Sequence, residues 1–374
     1  MLINRTAPTA AWHCGPNLHA GSDPVTVLRQ PAAELATLAD RVAGHMRPGR
    51  TAVGLLRYDA ALPRRAALPA AAEVQIFDNG SITAITAEDL QAITGEQPFS
   101  LTMPFNSDMS REDYQHSIQR IHRYLRAGDC YQVNFARRFR SHFQGNAFAA
   151  WARLLLQHPA PHSSFFQLGN GDAVFGVSPE RFLRIDGRAI VSQPIKGSRP
   201  RGNSAEDDRK IGEGLQRSSK DLAENLMIVD LLRNDLGRIC VAGSVTAAPL
   251  FELRRFSNVQ HLVSTVAGTL RDDVSPLQAL LSCFPGGSIT GAPKKRAMEI
   301  IDELEPVPRG FYCGSQFVLD SDGNLDSNIL IRTFQTHGNQ IICHGGGGIV
   351  IDSDAEQEYQ ESLFKVEKLM AALL

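Results

Sequence analysis

Apolar residues recur at helical spacing in three long stretches of this chain and run together in short β-type segments between them. In the first stretch Leu222, Leu226, Val229 and Leu232 share a face, Ser218 or Ser219 supplies an N-cap, and Gly237 can end the helix. The second, GAPKKRAMEIIDELEP, has Pro293 at a first helical position and Pro306 as its stop. The third, DAEQEYQESLFKVEKLM, carries a docking stripe of Tyr359, Leu363, Val366 and Met370. Residues 31–43 predict a shorter helix, and 52–58, 172–178 and 328–334 predict strands. The alternation of long amphipathic helices with β-rich runs predicts an α/β (α+β) fold. Residues 1–103, rich in Ala, Pro and Arg, read as an N-terminal segment contributing to the same fold, and 104–374 as the catalytic unit.

Composition narrows the function. A chain of 374 residues with 43% hydrophobic content can bury a large core. Its 38 basic against 40 acidic residues give no field for nucleic acid. The six cysteines form no Cys-x-x-Cys pair, which points to idle thiols in a reducing compartment. The start of the chain lacks a signal-peptide pattern and no apolar run is long enough to span a membrane, so a cytoplasmic enzyme is the expectation.

The acids Asp221 and Glu224, and Glu358 and Glu361, are i,i+3 pairs on two predicted helices, the second pair beside Lys365. Brought together, four carboxylates repel unless a hard cation intervenes, and Mg²⁺ takes one or two carboxylates plus substrate oxygens. The same spacing also occurs on solvated helix faces, so spacing leaves both readings open. In FPGGSITGAPK (284–294) a glycine-rich loop feeds a helix start suited to an anion or to a tight turn. It is no nucleotide P-loop, because Ala292 and Pro293 stand where Lys and Ser/Thr are needed. Residues 345–348, four glycines, read as a turn open to a bulge or to a ligand pressed on bare backbone. Arg332, within the predicted strand 328–334, offers a carboxylate fork or a surface charge on an edge strand. Lys196 lies between Ile195 and Gly197; sheltered, it could lose its proton and become a nucleophile, whereas an exposed lysine stays an inert ammonium. Glu180 and His261 are candidate proton carriers or satisfied structural groups.

The stretches GDCYQVNFARRF, SPERFL, PIKGSRPRG, AENLMIVDLLRNDLGR, NVQHLVSTVAGTL, CFPGGSITGAPKKRAMEIIDELEP, IRTF and GGGGIVIDSDAEQEYQESLFKV stand in the order found in the chorismate-binding family, which the chain resembles from about Tyr114 onward. The resemblance implies two β-sheets packed face to face with helices outside, as in anthranilate synthase component I, and chorismate bound in a cleft with Mg²⁺. Gln132 stands where isochorismate and salicylate synthases resemble one another in carrying a water-activating lysine, which argues against water attack. Lys196 lies in a PIKGS run where anthranilate synthases have a PIAGT-type run, which is similar to the branch that aminates ring position 4.

By that resemblance Lys196 attacks ring position 2 and the 4-hydroxyl leaves with proton help from Glu180. Ammonia then adds at position 4 and expels the lysine, giving 4-amino-4-deoxychorismate, the precursor of 4-aminobenzoate and folate. His261 would lie beside position 4. Glu224 and Glu361 would hold Mg²⁺ against the ring carboxylate, with Asp221 and Glu358 as supporting acids. Arg332, Tyr312 and the Gly348 backbone would hold the enolpyruvyl carboxylate, with Gly197, Ser198, Ser288 and Lys365 nearby. The resemblance also implies ammonia from a separate glutamine amidotransferase, whose Gly-x-Cys-x-Gly motif this chain lacks. An anthranilate-forming enzyme and a non-catalytic chorismate-binding protein are the alternatives. Gln316 and Phe317 depart from the family pattern near the pocket wall. Fuller-length relatives have a longer N-terminal stretch that forms part of a tryptophan site; most of it has no counterpart here, so no tryptophan binding is expected.

Overall fold

The computed structural model describes residues 8–62, 70–96, 98–255 and 259–374. Among these, strands form an eleven-stranded sheet, a nine-stranded sheet and a small three-stranded sheet. The larger sheet pairs Gln132–Gly145 with Gln340–Ile349, then Thr333–His337, Ala173–Ser178, His162–Gln167 and Ala10–Cys14, all antiparallel. The second contains Arg181–Asp186, Leu325–Asn328, Ser315–Asp320, Arg50–Leu56 and Ala72–Asp78. The third is Ile195–Pro200, Val259–Val263 and Glu252–Arg255.

Strand alternation explains why the two large sheets pack face to face. Phe166 and Val174 join Ala10 and Trp12 in an inter-sheet cluster with Val53, Leu55 and Phe77 of the second sheet. Their chain neighbours Phe165 and Phe175 point the other way, into a cluster with Phe148, Trp151 and Leu154 of the Ala147–Gln157 helix and Val366, Leu369 and Met370 of the C-terminal helix. On the outer face of the second sheet, Phe182, Leu183 and Ile190 meet Ile228, Val229 and Leu232 of the Ser219–Gly237 helix. Strands buried on both faces read as continuous apolar runs rather than alternating ones.

The three long helices form where periodicity predicts them. Ser218 accepts from the Asp221 N–H and caps Ser219–Gly237. The second helix runs Lys294–Leu304 with Pro293 at its cap rather than its first turn, and Asp354 caps Ala355–Ala371. The region 31–43 splits into a 3₁₀ turn, Ala32–Thr37, and a short α-helix, Leu38–Ala43.

Two expectations need correction. Residues 328–334 are not one strand: Leu325–Asn328 belongs to the second sheet and Thr333–His337 to the larger one. Between them the chain crosses from sheet to sheet through buried Ile329 and Leu330, and Arg332 sits at the bend with φ 52°. The apolar run looked continuous because the crossing itself is buried. Nor are glycines 345–348 a turn; they lie inside the Gln340–Ile349 strand, paired residue for residue with 134–137. Gly345 lets the sheet approach the C-terminal helix, because a Cβ there would collide with the Ser362 carbonyl.

Gln316 and Phe317 do not line an open wall. Gln316 donates to the Ala11 carbonyl across the inter-sheet gap at 3.1 Å, and fully buried Phe317 packs over Gly54. All six cysteines are free, and only Cys14 is exposed. Among the described residues no helix is long and apolar enough to cross a membrane.

Candidate active site

The small sheet carries the lysine and the histidine on neighbouring strands, with Lys196 opposite Leu262 and Ser198 opposite His261. The register shifts between Lys196 and Ser198, and Gly197 occupies that bulge at φ 65°. A Cβ on Gly197 would press on Leu215 at 2.8 Å, so both the conformation and the space select glycine. Ser198 Oγ lies 2.8 Å from His261 Nδ1. Burial, then the Arg332 charge, pull the His261 pKa below its ordinary value against a hydrogen bond with the Gly197 backbone, so the imidazole is neutral near pH 7.

Glu180 is 7% exposed and follows the Ala173–Ser178 strand. The Ser178 hydroxyl accepts from its N–H at 3.2 Å, and its carbonyl accepts from Ile329 N at 3.0 Å. Its Oε1 accepts from Ser288 Oγ at 2.8 Å, which gives the glycine-rich loop 284–291 a concrete role. Burial raises the Glu180 pKa, partly offset by the Ser288 bond and the charges of Lys196 and Arg332. Lys196 moves the opposite way: burial lowers its pKa, with Glu180 and Glu224 the main opposing influences. Both shifts favour the uncharged forms, a protonated acid and a free amine.

The acids approach from two helices. Glu224 has a raised pKa, from burial first; Lys196 and Lys220 oppose the shift, and Asp221 and Glu361 add to it. Glu358, which accepts from Ser353 Oγ at 2.7 Å, is also raised, by burial and by Glu361. Burial opposes the charge of Glu361 too, but Lys365 at 2.7 Å, with Lys220 and Lys196, outweighs it and leaves that pKa below the usual value. Asp221 instead takes an ion pair with Arg199 at 2.8 Å. The bare backbone of Gly347 lies under the acids of the C-terminal helix: a Cβ there would lie 3.2 Å from Glu358 Oε2, 3.2 Å from Lys365 Nζ and 3.6 Å from Glu361 Oε1. Among the described residues no three His, Cys, Asp or Glu side chains form a ready-made metal cage. Hard carboxylates facing each other from two helices, with lysines as their counter-charges, are nevertheless a donor set that suits a hard cation completing its shell with other oxygens.

The remaining predicted residues divide. Arg332 keeps solvent access yet acts on both Glu180 and His261, so it belongs to this cleft rather than to a sheet edge. Gly348 faces Gln132, whose amide nitrogen a Cβ would strike and whose Oε1 is buried without a partner. Tyr312 is fully enclosed, stacked on His344 at 4.9 Å, and the charges it feels most are those of Cys313, Arg309 and Glu305 rather than of the Lys196 group. A cavity of ≈ 730 Å³ lined by residues such as Leu231, Asp235, Phe284 and Lys294 contains none of the predicted site residues. Sequence reasoning missed Arg199, Lys220 and Arg137, because isolated basic residues carry no periodic signal.

Comparison with known proteins supplies an independent test. Residues 71–371 match the model of the chorismate binding enzyme family, starting well ahead of Tyr114. Aminodeoxychorismate synthase component 1 of Escherichia coli (strain K12) is 47% identical over 283 residues, covering 76% of this chain and 62% of that protein. The protein of the same name from Salmonella typhimurium is 46% identical over 276 residues, 74% of this chain and 61% of its own. Anthranilate synthase component 1 of Thermus thermophilus is 42% identical over 269 residues, 72% and 58% respectively. The chain thus spans about three-fifths of the length of the relatives it matches. Among solved structures, a 2,3-dihydroxybenzoate-specific isochorismate synthase, DhbC, from Bacillus anthracis superposes with TM-score 0.81 at 20% identity, over 98% of this chain and 96% of that one. Anthranilate synthase component I from Streptococcus pneumoniae gives 0.78 at 24%, over 99% and 94%. Those two likenesses are of fold. Because the sequence match runs through the acidic helix, the lysine strand and the C-terminal helix alike, the chain belongs to the chorismate-binding enzyme family.

Proposed function

We propose that this protein aminates chorismate at ring position 4, giving 4-amino-4-deoxychorismate, in the manner of aminodeoxychorismate synthase component 1. The observation that carries the reading is Lys196, a lysine driven toward its neutral amine in the same cleft as an acid driven toward its protonated form. The Lys196 amine adds at ring position 2, both conjugated ring double bonds shift, to positions 1,6 and 4,5, and the 4-hydroxyl departs as water with the Glu180 proton. Ammonia then adds at position 4, both double bonds return to their original positions, and the lysine nitrogen leaves position 2. Two displacements replace one poor one. Neutral His261, fixed by Ser198 and the Gly197 backbone, is placed to take the proton from incoming ammonium.

Glu224 and Glu361 would hold Mg²⁺, with Glu358 and Asp221 in support, and the cation would supply charge neutralisation for the ring carboxylate. Arg332 is the group in the cleft whose planar fork suits the enolpyruvyl carboxylate. Lys365, hydrogen-bonded to the Gly346 carbonyl at 2.9 Å, holds Glu361 in place meanwhile. Ammonia would come from a separate glutamine amidotransferase in a cytoplasmic, two-protein synthase.

The test is incubation with chorismate, Mg²⁺ and ammonium, followed by mass spectrometry of the products. The expected product is 4-amino-4-deoxychorismate with pyruvate retained. Fluorescent anthranilate with released pyruvate would move the assignment to the anthranilate branch, and unchanged chorismate would favour a binding protein.

A further inference from the structure

Arg137 is a buried cation whose role the proposed reaction leaves unexplained. It lies on the Gln132–Gly145 strand opposite Gly345 and is only 3% exposed. Among the described residues no carboxylate forms an ion pair with it, and an unpaired buried guanidinium is costly to keep. What holds it is the C-terminal helix. Its Nε donates to Ser362 Oγ at 2.8 Å and its Nη2 to the Tyr359 carbonyl at 3.1 Å. The guanidinium also lies 3.8 Å from the Tyr359 ring centroid and 4.8 Å from that of Phe139. Ser362 Oγ in turn donates to the Tyr359 carbonyl at 2.6 Å, closing a small network around one helical turn.

That turn is the one that matters chemically. Tyr359 directly follows Glu358, and Ser362 directly follows Glu361. The same turn is pressed onto the sheet where Gly345 meets the Ser362 carbonyl, so that Glu358, Glu361 and Lys365 overhang Gly347. A planar fork reaching two anchors three residues apart on the turn, Tyr359 and Ser362, fixes both the height of the helix and its rotation about its axis. A point-charge ammonium would fix neither.

We propose that Arg137 is a positioning residue that sets the C-terminal helix over the sheet so that its two glutamates face Glu224 for cation binding. The inference rests on the Mg²⁺ reading above. Groups that orient ligands in this way typically influence metal affinity by 10- to 100-fold.

The test titrates the full chain with Mn²⁺ as an EPR-visible probe, with and without chorismate, in wild type, Glu361→Gln, Arg137→Lys and Ser362→Ala. Wild type should bind Mn²⁺ and Glu361→Gln should largely lose it. Arg137→Lys should weaken Mn²⁺ about 10-fold while the ammonium KM stays unchanged. Ser362→Ala, which keeps the charge and removes one anchor, should weaken it less and in the same direction, and keeps the test open should Arg137→Lys not fold. Wild-type Mn²⁺ affinity in both variants would overturn the positioning role alone. Equal losses in Mn²⁺ affinity, ammonium KM and thermal midpoint would assign Arg137 a merely structural role. Failure of the wild type to bind Mn²⁺ would remove the cation reading, and this inference with it.

Discussion

Two acid–base pairs in this molecule leave their bases with opposite fates. Glu305 and Arg309 bond at 2.7 and 2.9 Å, and Arg309 also donates to the carbonyls of Ile289 and Asn134 while Glu305 accepts from the Ala136 N–H. Burial raises the Glu305 pKa as it does that of Glu180, but at Arg309 the charge of Glu305 and its neighbours outweighs burial and holds that pKa above its ordinary value. Glu180 is also buried and Lys196 half-buried, yet the hydrogen bond of Glu180 goes to Ser288, and among the described residues it meets Lys196 through the field rather than through an ion pair. Burial raises the acid here as in the other pair, and only here does it also lower the base. Direct bonding to its partner separates a base that keeps its charge from one driven toward its neutral form.

The largest test of that contrast is Lys196→Met, which keeps an uncharged side chain of similar length and removes the nucleophile. Turnover of chorismate with ammonium should fall on the order of 10⁴-fold, the scale seen when a member of a covalent catalytic unit is lost. Retention of a tenth of the activity would mean that the amine does not attack.

Next comes Glu180→Gln, which keeps the shape and the Ser288 contact but cannot deliver a proton. A loss of about 10²- to 10⁴-fold in kcat is expected. The pH profile of kcat/KM gives the sign. Activity should rise with pH as Lys196 loses its proton, from a pKa below that of an ordinary lysine. It should fall at higher pH as Glu180 loses its own, from a pKa above that of an ordinary glutamate. The glutamine variant should keep the rising limb and lose the falling one.

Glu305→Gln sharpens the other half of the comparison. Removing one partner of a fully bonded buried pair should lower unfolding free energy by about 3–5 kcal/mol in denaturant titrations. Glu180→Gln should change stability far less, because that carboxyl has no bonded cationic partner among the described residues to leave behind.

The same distinction governs what could be read in advance. The Ser218 cap and the apolar periodicity are local signals that located both helices, although Leu226 of the predicted stripe on the first lies exposed and the buried face is built instead by Ile228, Val229, Leu232 and Leu236. Lys196 was visible as a chemical oddity inside an ordered set of motifs, but its environment depends on Glu180 and Glu224 from other elements. Glycines 345–348 were misread as a turn because residues without side chains show no period of two, although the strand continues through them. Residues 328–334 looked like one strand because apolarity cannot distinguish a strand from a buried crossing. Arg137 stood beside Arg138 like a solvated charge doublet, and only the packed C-terminal helix shows that one of the two is buried.

Intact-protein and peptide mass spectrometry of the enzyme with chorismate and Mg²⁺, ammonium withheld, tests the central claim most directly. The account predicts a mass gain of chorismate less one water, located on the peptide containing Lys196 and released on adding ammonium. Unmodified protein at every time point, under conditions where ammonium still yields aminated product, would contradict it.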